Sequence, residues 1–213
     1  MTPRRPGLLR DAASVLPPTL LARARALALP GQRALLGITG PPGAGKSTLA
    51  AALAQATDAV LVPMDGFHLA DTELDRLGRR DRKGAPDTFD AAGFVALLRR
   101  LRAGEDVYAP VFRRELELAE AGARAVPGDA PLVVVEGNYL LCDGGFRAVR
   151  EVLTECWYVE LDPVARLDRL VARHVEHGRT PEQALAWASG TDEQNATLVA
   201  STRARADLVV RAP

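Results

Sequence analysis

The sequence predicts an α/β fold in which helices cover both faces of a parallel β-sheet. Short apolar segments of strand length alternate with helical segments along most of the 213 residues, as they do when parallel strands are joined by crossover helices. One such segment, 131–137, is a continuous valine-rich run, which is typical of a parallel strand buried on both sides. Another, 34–38, leads directly into a glycine-rich loop and a helix.

Length and composition fit one domain with a single core, which we expect to span residues 1–213. The 27 basic and 27 acidic residues balance, so no bulk charge indicates a nucleic-acid or membrane partner. Cys142 and Cys156 are too few for a disulfide or metal framework; we place Cys156 in the core and Cys142 in a loop. Without a signal region or a membrane-spanning run, we expect a cytoplasmic protein.

An N-terminal helical segment, 1–31, precedes the first strand. Two helical pieces, Leu8–Leu16 and Thr19–Leu29, are separated by two prolines. We expect the second piece to pack beside the core through its apolar side. Gly31 then turns the chain into strand 34–38.

The loop after this strand reads G-x-x-x-x-G-K-S, the Walker A pattern. Its glycines let backbone N–H groups close around phosphate oxygens, and the following helix adds the positive end of its dipole. Lys46 would reach the outer phosphates of ATP, and the Ser47 hydroxyl would bind Mg²⁺. The predicted nucleotide-binding residues of the loop are Gly40, Pro41, Pro42, Gly43, Ala44, Gly45, Lys46, Ser47 and Thr48.

A second buried strand, 59–64, ends at Asp65. Ligands of open α/β sheets bind beyond the carboxyl ends of the strands, so we interpret Asp65 as a general base or a Mg²⁺ ligand. The alternative is a turn-forming Asp-Gly pair. His68 follows closely and either contacts substrate or caps the loop; the sequence does not decide between these roles.

Residues 71–90 are a long charged connection that contains one short helix. Its basic run, 79–83, is a solvated surface or a set of phosphate or substrate contacts. Both interpretations stay open at this point.

Asp90 is the expected N-cap of a helix over 91–103. Residues 107–114 read as a short extended segment, in which Pro110 argues against a central strand. The pattern over 115–125 is ambiguous.

The valine-rich strand 131–137 carries a second carboxylate, Glu136, near its carboxyl end. This is the position of a Walker B acid, although Asp is commoner there. A buried lone carboxylate costs several kcal/mol unless it is paired. We therefore favour a metal or substrate contact for Glu136 over a packing role.

The last part of the chain continues the alternation. A fourth strand, 155–161, leads through an Asp162-Pro163 N-cap into a helix over 164–177. A capping box at 180–183 opens another helix, and a further helix runs to about Ala206. Residues 208–210 form a fifth strand.

The helix over 164–177 presents Arg166, Arg169 and Arg173 on one face. Three neighbouring cations need an anion to offset their repulsion, and a triphosphate would supply it. The alternative is pairing with Asp162 and Glu176 on neighbouring turns.

Together these motifs resemble the uridine kinase, phosphoribulokinase and pantothenate kinase group of P-loop kinases. The resemblance runs from about residue 35 to residue 210, and its EGNYLL piece is similar to a bacterial subgroup of nucleoside/nucleotide kinase or fructose-transport-kinase proteins. The markers are GPPGAGKST at 40–48, MDGFH at 64–68, RKGAPDTFD at 82–90, VVVEGNYLL at 133–141, RLxRLxxRH at 166–174 and ADLVV at 206–210.

The resemblance implies a P-loop NTPase fold, a three-layer sandwich with a five-stranded parallel sheet in the order 2-3-1-4-5 and a helical lid over about 163–180. It implies ATP-Mg²⁺ as donor and a small-molecule hydroxyl as acceptor. Asp65 matches the catalytic carboxylate of the group, and Arg166, Arg169 and Arg173 match arginines that close over the phosphates. The subgroup usually has Asp where this chain has Arg113, which puts the identity of the acceptor in doubt.

Our leading hypothesis is phosphoryl transfer from ATP to a nucleoside-, pantothenate- or sugar-like hydroxyl. Asp65, Lys46, Arg169 and Arg173 would be catalytic, and Ser47, Asp65 and Glu136 would hold Mg²⁺. The rival hypotheses are a nucleotide-hydrolysing switch and a non-catalytic nucleotide-binding regulator. A homodimer is left open. Candidate acceptor contacts are His68, Lys83, Phe89, Tyr108, Arg113, Glu136 and Tyr139.

Overall fold

The computed structural model describes residues 16–29 and 31–212. The strands in this part of the chain are β1 (Ala34–Thr39), β2 (Val60–Pro63), β3 (Val107–Arg113), β4 (Leu118–Val126), β5 (Leu132–Glu136), β6 (Glu155–Glu160) and β7 (Leu208–Arg211). The α-helices are α1 (Pro18–Leu27), α2 (Lys46–Ala56), α3 (Asp71–Leu77), α4 (Ala91–Arg102), α5 (Arg147–Val152), α6 (Pro163–Glu176), α7 (Pro181–Ser189) and α8 (Thr191–Ala200).

Five strands form a sheet in the order β2-β5-β1-β6-β7, and every neighbouring pair is parallel. When only these five strands are numbered along the chain, the order is the predicted 2-3-1-4-5. The carboxyl ends of β1, β2 and β5 therefore meet at one edge of the sheet, which brings together the loop after β1 and the acids that follow β2 and end β5.

The sheet separates two apolar cores because successive side chains of a strand point to opposite faces. One core joins Leu35 and Val133 to buried residues of α4 and α5. The other joins Leu36 and Trp157 to α1 and α2. Helices thus cover both faces, which explains why β1 and β5 are buried along their whole length.

Strands β3 and β4 form a separate antiparallel hairpin. The register shifts between Ala109 and Val111, so Pro110 lies at an irregularity where a missing N–H donor is tolerated. The ambiguous segment 115–125 becomes a strand by pairing with β3 as an exposed ribbon. Gly66, beside the predicted base, packs so closely under the Pro110 carbonyl that an added Cβ would clash with it.

Local signals placed most helix ends correctly. Asp90 accepts a hydrogen bond from the Gly93 N–H, and Asp162 accepts two from the first turn of α6. Thr180 and Gln183 form the predicted capping box. The helix expected to run to about 206 ends at Ala200.

Two other expectations concern the cysteines and the N-terminal helical pieces. Cys142 lies in a loop as predicted, but it is buried there, as Cys156 is in the core. The first helical piece falls almost wholly on residues outside the described ranges, whereas the second corresponds to α1. No helix in 16–29 or 31–212 combines the length and apolar character needed to cross a membrane.

Candidate active site

The glycine-rich loop joins β1 to α2 and is fixed by close contacts on two sides. An added Cβ at Gly40 would collide with the Val159 carbonyl of β6, and at Gly43 it would lie 2.7 Å from Leu170 Cγ of α6. Gly43 also has a φ of +81°, which disfavours other residues. The loop therefore keeps its backbone N–H groups at the N-terminus of α2, where an anion is stabilised.

Lys46 opens α2 and its side chain is buried, with Nζ donating to the Pro41 carbonyl at 3.0 Å. Burial lowers the pKa of Lys46, and the negative charges of Glu136 and Asp65 oppose that shift. An ammonium group so poorly hydrated gains strongly from an incoming anion.

Glu136 ends β5 and is also buried. Burial raises the pKa of Glu136 to about 7; the nearby Lys46 charge and a hydrogen bond with the Ser47 side chain act in the opposite direction. Ser47, Lys46 and Glu136 therefore form one polar cluster below the loop.

This cluster fits Mg²⁺. The ion usually takes one or two carboxylates, several waters and substrate phosphates rather than an all-protein cage. Within the described ranges, no group of three or more His, Cys, Asp and Glu side chains could hold a metal alone. A buried carboxylate beside a serine hydroxyl is the smaller donor set that Mg²⁺-phosphate sites use.

Asp65 lies two residues beyond β2, in a 3₁₀ turn over Met64–Phe67. Pro63 and Glu136 are register partners in the sheet, so the two acids share one edge. The Asp65 carboxylate is partly exposed and pairs with Arg114, whose Nη2 lies 3.2 Å from Asp65 Oδ2.

The arginines of α6 face the glycine-rich loop. Arg166 donates to the Pro42 carbonyl at 3.3 Å and forms an ion pair with Glu193 of α8. An Nη1 atom of Arg169 lies 3.8 Å from the position of a Cβ added at Gly45. The alternative of pairing with Asp162 and Glu176 does not describe Arg166, because its carboxylate partner comes from α8.

Arg173 lies on the wall of a cavity of about 470 Å³ that also contains Lys46, Ser47, Asp65 and Glu136. Burial is the main cause that lowers the pKa of Arg173, and the charge of Arg114 lowers it further. The next residue of α6, His174, pairs with Asp192 at the start of α8 at 2.7 Å.

Four of the candidate acceptor contacts line this cavity: Glu136, His68, Lys83 and Phe89. The His68 ring stacks on Phe89 with centroids 4.0 Å apart. Burial lowers the pKa of His68 to about 4, so the ring is neutral at physiological pH. His68 Nδ1 is buried and has no hydrogen-bond partner among the described residues.

The other candidate contacts lie elsewhere. Tyr139 is buried beneath the cavity, and its hydroxyl donates to the Gly84 carbonyl at 2.5 Å. Tyr108 is 70% exposed, and Arg113 pairs with Glu120 at 2.6 Å; neither lines the cavity.

The sequence analysis missed Arg114. This residue begins the turn after β3, where strand alternation no longer predicts the direction of a side chain. Phe112 and Arg114 both line the cavity. Asp192 and Asn195 of α8 also line it, a placement that no local pattern predicted.

A second cavity of about 580 Å³ lies on the other side of the loop. It is bounded by Pro41, by Asp162 and Arg166 at the start of α6, and by Arg211 and Ala212 at the end of β7. The glycine-rich loop thus has one cavity on each side.

Comparisons with known proteins agree with this architecture. The sequence model of the Phosphoribulokinase / Uridine kinase family matches residues 35–212. YggC of Escherichia coli K12 is 33% identical over 191 residues, which cover 85% of this chain and 78% of YggC. A candidate uridine kinase of Schizosaccharomyces pombe is 31% identical over 196 residues, covering 84% and 83%. The crystal structure of a candidate fructose transport system kinase from Silicibacter sp. TM1040 is similar with a TM-score of 0.83 and 36% identity, covering 93% of this chain and 98% of that one.

Proposed function

The chain belongs to the phosphoribulokinase/uridine kinase family, and we propose that it transfers the γ-phosphoryl group of ATP to a hydroxyl of a small-molecule acceptor. One observation carries the proposal. The Asp65 carboxylate shares a cavity with Lys46, Ser47, Glu136 and Arg173, so a base and a phosphate-binding set face the same volume.

The triphosphate would lie along residues 40–47, with backbone N–H groups and Lys46 against its oxygens. The nucleoside would then extend into the 580 Å³ cavity beside Pro41 and Arg166. This leaves the 470 Å³ cavity on the other side for the terminal phosphate and the acceptor.

Ser47 and Glu136, with Asp65 nearby, are the residues that would hold Mg²⁺. When bound, the ion would neutralise charge on the β- and γ-phosphates. The burial of Glu136 suits this role, because a nearby dication stabilises the ionised form of a poorly hydrated carboxylate.

Asp65 would accept the proton of the acceptor hydroxyl as its oxygen bonds to the γ-phosphorus. The bond from that phosphorus to the bridging oxygen of ADP breaks in the same in-line displacement. The partial exposure of Asp65 leaves its carboxylate reachable from the acceptor side.

Helix α6 and the residues after it, to about 180, would act as the lid. Arg166, Arg169 and Arg173 would offset the charge that spreads over the phosphoryl group, and closure would exclude water. Exclusion matters because water reaching the γ-phosphate would consume ATP without a product.

A panel assay tests the proposal. ADP release is measured with ATP-Mg²⁺ and, in turn, nucleosides, pantothenate, free sugars and sugar phosphates. We expect one class to raise ADP release well above the rate without acceptor. Hydrolysis at the same rate with every acceptor would favour a nucleotide-hydrolysing switch.

A further inference from the structure

Arg114 is the positive charge that lies closest to the proposed base. It belongs to the turn between β3 and β4 and reaches Asp65 with Nη2 at 3.2 Å from Oδ2. Within the described ranges, this guanidinium donates a hydrogen bond to Asp65. A guanidinium has five N–H donors. Arg114 therefore has donors to spare on the acceptor side of the 470 Å³ cavity.

The hairpin turn that carries Arg114 is held in place. Lys83 Nζ donates to the Glu117 carbonyl at 2.9 Å and lies 3.2 Å from its carboxylate. Lys83 is also 2.8 Å from Asp71. Glu117 has a φ of +52°, a conformation that a residue with a side chain keeps only when its surroundings enforce it. Lys83 thus positions the turn, and with it Arg114.

Two other cations on this side of the cavity already form ion pairs with acids that take no part in the proposed reaction. Lys83 pairs with Asp71 and Glu117, and Arg80 pairs with Asp71 and Asp75. The acid of Arg114 is Asp65, which the proposed reaction turns into a neutral carboxyl group. Arg114 therefore pairs with a reacting group, and its remaining N–H donors are left for another anion on the acceptor side of the cavity.

We propose that Arg114 is a specificity residue that exchanges Asp65 for an anionic group of the acceptor, so that the acceptor is a hydroxyl compound carrying a carboxylate or a phosphate. This inference rests on the proposed function. A guanidinium binds either anion with paired N–H donors. A neutral acceptor would gain no ion pair from Arg114, whose side chain is 49% exposed and otherwise stays hydrated.

The rest of the acceptor side suits a small polar molecule. His68, Phe89 and Phe112 line this part of the cavity, and the His68 ring stacks on Phe89. The cavity of about 470 Å³ must also admit the terminal phosphate. The acceptor is therefore a compact hydroxy acid or sugar phosphate rather than a large apolar molecule.

The test compares anionic and neutral probes in the wild-type protein and in Arg114→Gln. Pantothenate and ribose 5-phosphate are the carboxylate and phosphate probes, and uridine and fructose are neutral. Binding to protein saturated with a non-hydrolysable ATP analogue is measured by calorimetry, and turnover by ADP release. We expect at least one anionic probe to bind better than both neutral ones. Arg114→Gln should weaken its binding and raise its KM by about 10- to 100-fold, with kcat changed less and KM for ATP unchanged.

Arg113→Gln is the matched control, since it removes the same charge from the neighbouring residue and Arg113 pairs outside the cavity. Arg113→Gln should leave the Kd and the KM of the anionic probe near their wild-type values. Arg114→Lys should recover part of the affinity for that probe. Preference for a neutral probe, binding of neither anionic probe, or an Arg114→Gln protein with unchanged affinity for the anion would overturn the inference. Anion binding through Arg114 without ADP release from any acceptor would instead contradict the proposed function.

Discussion

Arg166 of α6 forms an ion pair with Glu193 of α8. The same guanidinium donates to the Pro42 carbonyl of the glycine-rich loop. The Arg166 side chain is only 5% exposed, whereas that of Glu193 is 49% exposed. Glu193 thus pairs with an arginine that we propose binds a phosphate of ATP, so the two anions would compete for it.

Replacing Glu193 should tighten nucleotide binding. Glu193→Gln leaves a buried cation with a weaker partner, so an incoming phosphate gains a stronger contact. We expect the Kd of a non-hydrolysable ATP analogue to fall about fivefold, which corresponds to about 1 kcal/mol. Calorimetry checks this, with Glu182→Gln on α7 as a control outside both cavities. Weaker binding in Glu193→Gln would mean that Glu193 holds Arg166 in its binding position.

Removing an arginine from α6 should damage turnover more than affinity. Cationic groups that act on the transferring phosphoryl are worth about 10³–10⁵ in rate in related P-loop enzymes. We expect Arg173→Ala to lower kcat by about 10³ and Arg169→Ala to lower it less, with the Kd for the ATP analogue changed by less than about tenfold. Steady-state kinetics and calorimetry separate the two quantities. Unchanged turnover in both variants would contradict the lid assignment.

The stability of the protein should depend on His68 between pH 6.5 and 4. Burial lowers the pKa of His68 from 6.5 to about 4, so the unfolded chain binds a proton before the folded one does. His68 therefore contributes stability that is present above pH 6.5 and lost as pH falls through 4. The two pKa values correspond to a contribution of about 3 kcal/mol.

His68→Phe keeps a flat ring on Phe89 and should remove this pH dependence. The measurement is the free energy of unfolding by urea, in wild type and variant, at several pH values. The raised pKa of Glu136 gives a pH dependence of stability with the opposite sign. Glu136 is present in both proteins, so its contribution cancels when the two free energies of unfolding are subtracted. Curves that stay parallel from pH 7 to pH 4 would contradict the assignment of a buried neutral histidine.

The sequence predicted correctly those elements whose signals lie within a few residues of the element itself. The Walker A loop follows from its own glycines and flanking strand and helix, and Asp90, Asp162 and Thr180 cap helices through neighbouring N–H groups. The role of Glu136 was predicted because it is a single charged residue at the end of an apolar strand. The strand order came instead from the family resemblance, because periodicity does not say which strands are neighbours.

The acceptor side was harder to predict because its residues meet only through tertiary contacts. Lys83, predicted as a substrate contact, lines the cavity, but the hairpin turn also occupies its ammonium group. Choosing Arg114 instead of Arg113 required knowing that the hairpin turn begins at Arg114, which the ambiguous 115–125 segment did not show. Tyr108 and Tyr139 are predicted acceptor contacts that do not line the cavity. Tyr108 is exposed, and Tyr139 packs in the core.

The central claim is that Asp65 accepts a proton from an acceptor hydroxyl while the triphosphate is bound at residues 40–47. It is tested most directly by measuring transfer of radiolabel from γ-labelled ATP to an acceptor in wild type and in Asp65→Asn, alongside the Kd for an ATP analogue. We predict labelled product with wild type, and nearly unchanged nucleotide affinity but no detectable product with Asp65→Asn. Product formation by Asp65→Asn at a near-wild-type rate would contradict the account.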